Sequence, residues 1–172
     1  MRALPLFTAA LLATAGLALG GCGLRPLYAG GAQGKVAQSL SGIAVDPIPG
    51  RAGWLVRNAL NDRLKTAGEG PSRYRLEVDL DDQITGFGVR LDNAVTRERR
   101  TLRARYRLVD ASAGSVVVDA TAGSDAGIDV VSSEYATIAA EETALERLSG
   151  EIADQIIVRL ALYAGRTSPT PP

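Results

Sequence analysis

The chain has 172 residues, balanced at 19 Lys+Arg against 19 Asp+Glu, with no His, one Cys and one Met. That is room for one domain with a targeting segment and a tail, and 46% apolar with 22% charged residues is ordinary globular composition. Without His there is no Ser-His or Cys-His catalysis. A single Cys allows no internal disulfide and no thiolate cage for a metal. The balanced charge argues against a general polyanion binder. These absences leave a poor candidate for an enzyme, and no catalytic residue, metal or cofactor is expected.

Met1-Arg2 opens the chain, and Ala3–Leu19 is an apolar run of seventeen residues, short of the roughly 20 that span a bilayer and suited to a secretory signal. Leu19-Gly20-Gly21-Cys22 follows. This resembles the bacterial lipobox, in which small side chains expose the cleavage bond and a free thiol accepts diacylglycerol. We expect residues 1–21 to be a lipoprotein signal peptide and Cys22 to carry an N-acyl diacylglyceryl anchor. Loss of Arg2 leaves eighteen basic residues against nineteen acidic. Three acyl chains give a permanent tether where one would be marginal. Gly23 at the following position favours the outer membrane over inner-membrane retention.

Residues 22–41, rich in Gly, read as the lipidated tether. Ile43-Ala44-Val45 is a short strand, limited by Pro47 and Pro49. Ala52, Val56, Leu60 and Leu64 recur every fourth residue as one helix face, with Gly68 as its stop. Trp54 at its start reads as a core or cap-covering aromatic. Tyr74, Leu76, Val78 and Leu80 then alternate with Arg75, Glu77, Asp79 and Asp81. Leu102, Ala104, Tyr106 and Leu108 alternate with Arg103, Arg105 and Arg107. One outer face is acidic and the other basic, so antiparallel pairing would set opposite charges across the ladder. Asp110–Gly114 has turn composition and Val116–Thr121 makes the next strand; Gly123 to Gly127 either interrupts or extends it.

From Ser133 a long helix carries Ile138, Leu145, Leu148, Ile152, Ile156, Leu160 and Tyr163 as an apolar stripe. Ser133 caps it, Gly150 weakens it, and Gly165 ends it. The order is β-α-β-β-β-α, an α+β domain over 42–165 with two helices on one face of a mainly antiparallel four-stranded sheet. A Pro-rich tail, 166–172, is expected to be disordered.

The densest basic stretch runs from Arg97 to Arg107, with six Arg and one acid. Arg presents a planar fork for phosphate or carboxylate. Arg97, Arg99 and Arg100, before or at the start of a strand, would be projected by a hairpin end toward an anionic ligand such as a phosphorylated glycolipid. Arg103, Arg105 and Arg107 fit better as partners of Glu77, Asp79 and Asp81. Export and the slightly negative mature charge count against nucleic acid. Asp81 and Asp82, as strand neighbours, point to opposite faces and make a poor catalytic pair.

Several segments, in this order, resemble the lipopolysaccharide-assembly lipoprotein family, LptE, in its alphaproteobacterial form: Cys22-Gly23-Leu24-Arg25-Pro26-Leu27-Tyr28, Val56-Arg57-Asn58-Ala59-Leu60, Ala94-Val95-Thr96-Arg97, Glu134-Tyr135-Ala136, Ala139-Ala140-Glu141-Glu142-Thr143-Ala144 and Arg147-Leu148. The resemblance implies an outer-membrane lipoprotein on the periplasmic side that plugs the LptD β-barrel and assists lipopolysaccharide insertion. LptD, lipopolysaccharide and the membrane that holds the anchor are the implied partners, and Arg97, Arg99 and Arg100 match the family's basic hairpin end. The alternative is an independent periplasm-facing lipoprotein that binds a cell-wall or soluble anionic ligand.

Overall fold

The computed structural model describes residues 40–65, 72–89 and 95–167. The signal peptide, Cys22, most of the tether and the end of the tail lie outside these residues. The elements are β1 (Ile43–Val45), α1 (Gly50–Lys65), β2 (Tyr74–Val89), β3 (Val95–Asp110), β4 (Val116–Asp129) and α2 (Glu134–Thr167). They form one four-stranded sheet in the order β1-β2-β3-β4. β1 lies parallel to β2, and the other pairs are antiparallel. A parallel neighbour needs a crossover, which α1 supplies. The expected α+β order is the order found.

Pairing follows the alternation. Glu77 faces Arg107, Asp79 faces Arg105 and Asp81 faces Arg103, so the acidic and basic rows share the outer face. On the inner face Leu76, Leu102, Ala104, Tyr106 and Leu108 are buried. The strands run further than their apolar alternation. β2 continues through Gly86-Phe87-Gly88, and β4 continues through Gly123-Ser124-Asp125 to Asp129. Both extensions are held by ladder bonds to β3, which need backbone groups and not apolar side chains. A register shift at Leu108/Val109 marks a bulge beside the β3–β4 turn. There the Asp110 carboxylate accepts bonds from Ser112 N, Ser112 Oγ and Ala113 N, and Gly114 supplies the positive φ.

The helices lie side by side on the inner face. Arg51 pairs with Glu142 and Arg63 with Asp154. Both pairs have the same sequence offset, so α1 and α2 run in the same direction in fixed register. Arg63 also donates to the carbonyls of Ala59 and Gly150. Val56, Leu60 and Leu64 of α1 meet Leu145, Leu148, Ile152, Ile156 and Leu160 of α2 in one buried cluster. Each such side chain contributes about 1.5–3 kcal/mol by leaving water. Gly53 brings α1 against the Pro-flanked lead-in: an added Cβ would sit 2.5 Å from the Ile48 carbonyl oxygen.

Four expectations need adjustment. Trp54 is neither core nor cap cover but 60% exposed, because Gly53 and Val56 take the buried face of α1. Ile138 is half exposed. α2 extends beyond α1 at both ends, since α1 has sixteen residues and α2 thirty-four, and Ile138 lies before the paired stretch. Gly165 does not end α2, which runs to Thr167, short of Pro169. Leu40, placed with the tether from sequence, is 1% exposed and belongs to the core.

Candidate functional site: the hairpin end of the sheet

β2 leaves the β1 end of the sheet at Tyr74 and reaches Phe87 thirteen residues later, roughly 40 Å away. Arg97 lies opposite Phe87, and Arg99 opposite Thr85. With period two, odd-numbered residues of β3 share the outer face and even-numbered ones turn inward. The three candidate arginines therefore separate.

Arg97 and Arg99 stand exposed on the outer face. Arg97 reaches Asp129 of β4 at 3.1 Å, and Arg99 is 3.8 Å from Asp125. The Arg99 guanidinium also lies 5.4 Å from the centroid of Phe87, a cation–π distance. Phe87 itself is 38% exposed. Two guanidinium groups beside a half-open aromatic can meet an anion that carries apolar substituents. Exposed pairs of this kind are worth about 0–1 kcal/mol, so a stronger anion can displace their carboxylates.

Arg100 points the other way and is only 9% exposed. Its Nε and Nη2 donate to the two carboxylate oxygens of Asp82 at 2.8 and 2.6 Å, and its Nη1 donates to the Glu141 carbonyl at 2.9 Å. One guanidinium thus ties β3 to β2 and to the first turns of α2. Glu98, also inward, has Oε2 buried without a hydrogen-bond partner. Burial, and then the negative charge of Glu141, raise the Glu98 carboxyl above its ordinary value. The protonated Glu98 carboxyl can donate to Glu141 where the ionised form would only repel it.

The remaining arginines do not all take the partners expected from sequence. Arg107 pairs with Glu77 as expected, at 2.9 Å. Arg105 turns to Asp119 of β4, and the Arg103 side chain lies across Gly123. Asp82 and Glu141 were not legible as a site. The signal for Arg100 was nonetheless present, because the inward series Leu108, Tyr106, Ala104, Leu102 steps back by two to Arg100. Among the described residues no group of three or more His, Cys, Asp or Glu could hold a metal. No helix there is long and apolar enough to cross a membrane.

A βαβ unit, a long antiparallel meander and a closing helix laid on one face define a small α+β domain that exposes a sheet face rich in charge. That arrangement is shared with solved bacterial lipoproteins. The chain is 31% identical to a protein assigned as a lipoprotein from Caulobacter crescentus CB15, covering 80% of this chain and 100% of that one, with a TM-score of 0.66. The minor lipoprotein of Acinetobacter baumannii shares the fold at 14% identity over 76% of this chain and 96% of that one, TM-score 0.59. The rare lipoprotein B of Shewanella oneidensis does so at 12% over 72% and 95%, TM-score 0.55. No protein of curated function matches the sequence significantly. Residues 40–160 match the family model described as "LptE: Lipopolysaccharide-assembly", and the chain belongs to that family.

Proposed function

We propose that this chain is an outer-membrane lipoprotein, anchored through Cys22 on the periplasmic side, that plugs and supports the LptD barrel while lipopolysaccharide is inserted. The observation that carries the reading is the outer sheet face. Six arginines and six acids cover it: Arg75, Arg97, Arg99, Arg103, Arg105 and Arg107 against Glu77, Asp79, Asp81, Asp119, Asp125 and Asp129. A polar barrel lumen accepts such a face where a lipid bilayer would not.

The tether supports the geometry. Seventeen residues separate Cys22 from Leu40, a reach of at most roughly 60 Å, so the anchor can sit at the membrane while the domain stands upright. The hairpin end lies about 40 Å from the β1 end. There Arg97 and Arg99 contact lipid phosphates and Phe87 meets apolar parts of the lipid, while Arg100 holds the hairpin in place beneath them. No bond is made or broken; the protein works by shape and surface charge.

Co-purification from mild detergent extracts of native membranes tests the partner. A large outer-membrane barrel in stoichiometric amount is expected. Recovery of the chain alone, or cross-linked to a soluble or cell-wall ligand, would favour an independent periplasm-facing lipoprotein instead.

A further inference from the structure

β2 is sixteen residues long, yet β1 covers only Tyr74 to Leu76. Pro47 and Pro49 follow directly, and their rings fix φ at about −65°, away from the extended strand value. Tyr74 N donates to the Gly42 carbonyl, and the Leu76 carbonyl accepts from Asp46 N. The even-numbered residues of β2 thus turn their backbone groups away from β3. By the two-residue repeat, Val78, Leu80, Asp82, Ile84 and Gly86 present a row of N–H and C=O groups along an open edge.

The opposite edge of the sheet is treated differently. On β4 the Gln155 side chain caps both backbone groups of Gly123, at 3.2 Å to N and 3.1 Å to O. α2 thereby interrupts that edge as a template for strand addition. Nothing among the described residues does the same for β2.

Side chains beside the open edge select what can join it. Arg105 is turned toward β4, and Arg103 lies across Gly123. Asp79 and Asp81 are both exposed. Asp81 accepts from Gln83 Nε2 at 3.1 Å, Asp79 has the Arg105 charge nearby, and neither has an arginine within salt-bridge distance among the described residues. On the inner face Leu80 is half-buried, and Ile84, past the reach of α1, is 42% exposed. An added strand would place alternate residues opposite these acids and the others against Leu80 and Ile84. A second copy of β2 would set acid against acid, which disfavours self-pairing.

We infer that the β2 edge from Val78 to Gly86 is a strand-addition site for an extended segment of a partner protein that alternates Lys or Arg with apolar residues. Its far end reaches the hairpin arginines, Thr85 pairing with Arg99, but its main-chain groups and acids do not depend on them. Main-chain bonds would supply affinity, and alternate side chains specificity.

Binding of a ten-residue peptide alternating arginine with valine, measured by fluorescence anisotropy on the full chain in nonionic detergent, tests this. The wild type should bind it, and a glutamate–valine peptide should not bind. Asp79→Asn with Asp81→Asn should weaken binding about tenfold, whereas Glu146→Gln on the exposed side of α2 should leave it unchanged. Ile84→Pro removes an edge N–H that faces no ladder partner while keeping every charge, and it should weaken binding by a similar factor. Because a proline variant can disturb folding, a peptide N-methylated at alternate residues is offered to the wild type and should fail to bind. Equal binding of the methylated peptide would reduce the effect to charge attraction and overturn the proposal. So would a dimer of the chain that the peptide dissociates, since the edge would then belong to a second copy.

Discussion

Arg100 and Glu98 occupy the same inner row of β3 and meet opposite electrostatic fates. Arg100 has Asp82 and the Glu141 carbonyl as partners, so each of its three side-chain nitrogens donates one hydrogen bond. Removing it would leave the Asp82 carboxylate partly buried and unpaired. We expect Arg100→Ala to cost about 2–4 kcal/mol of stability by denaturant unfolding. Arg100→Met with Asp82→Leu should cost clearly less than the two single changes added together.

Glu98 has a carboxyl raised by burial and by Glu141. Its folded form holds a proton more tightly than its unfolded form. Wild-type stability should therefore fall as pH rises from the ordinary Glu value near 4.5 through the raised one, with the deficit retained at neutral pH. Glu98→Gln cannot ionise and can donate to Glu141. Thermal unfolding at pH 7 should show it more stable by about 1 kcal/mol, a gain that vanishes below about pH 4. Asp119 and Asp154 act in the other direction. Arg105 and Arg63 hold them below the ordinary carboxylate range, so their contribution is present at neutral pH and is lost as pH falls through their lowered values.

At the scale of elements, α2 does three jobs along one length. Its first turns receive Arg100, its middle packs on α1 and the sheet, and Gln155 closes the β4 edge. Ser133 caps it, its Oγ accepting from Ala136 N at 3.4 Å. Gly150 sits inside the helix, where glycine has more backbone freedom to lose than alanine. A Cβ there would meet only the Arg63 Nη2 at 3.8 Å, an ordinary contact. Gly150→Ala should raise stability by about 0.5–1 kcal/mol, read as a higher melting temperature. A fall would mean the Arg63 bond to the Gly150 carbonyl requires the bare backbone. Apolar spacing revealed both helices and three strands. The ends of β2 and β4 carry no such spacing, because Gly-rich, polar sequence joins a strand only when a partner strand of the right register lies beside it.

For the whole molecule, the long β2–β3 hairpin separates two ends. The Leu40 end is where the described chain begins, and the far end carries Arg97, Arg99 and Phe87. Arg97→Ala with Arg99→Ala should weaken lipopolysaccharide binding about tenfold or more, as expected for two charge-assisted contacts. Because both side chains are exposed and their ion pairs weak, the melting temperature should stay within about 2 °C. A matched loss of stability and binding would make these residues structural. The test excludes Arg100, whose role in holding the hairpin would confuse the two readouts.

By itself the sequence determined what repeats locally. Period two marked the strands and sorted their faces, period near four marked both helices, and the ordered motifs carried the family. Stepping that same period two back to Arg100 would have turned it inward. Only the tertiary structure decided which acids the outer arginines chose, that Asp82 and Glu141 complete the Arg100 site, and that one sheet edge is closed while the other is open. These outcomes depend on distances between segments far apart in the chain. Arg105 has acids on both flanking strands and is bonded to Asp119, and nothing in its own neighbourhood of sequence encodes that choice.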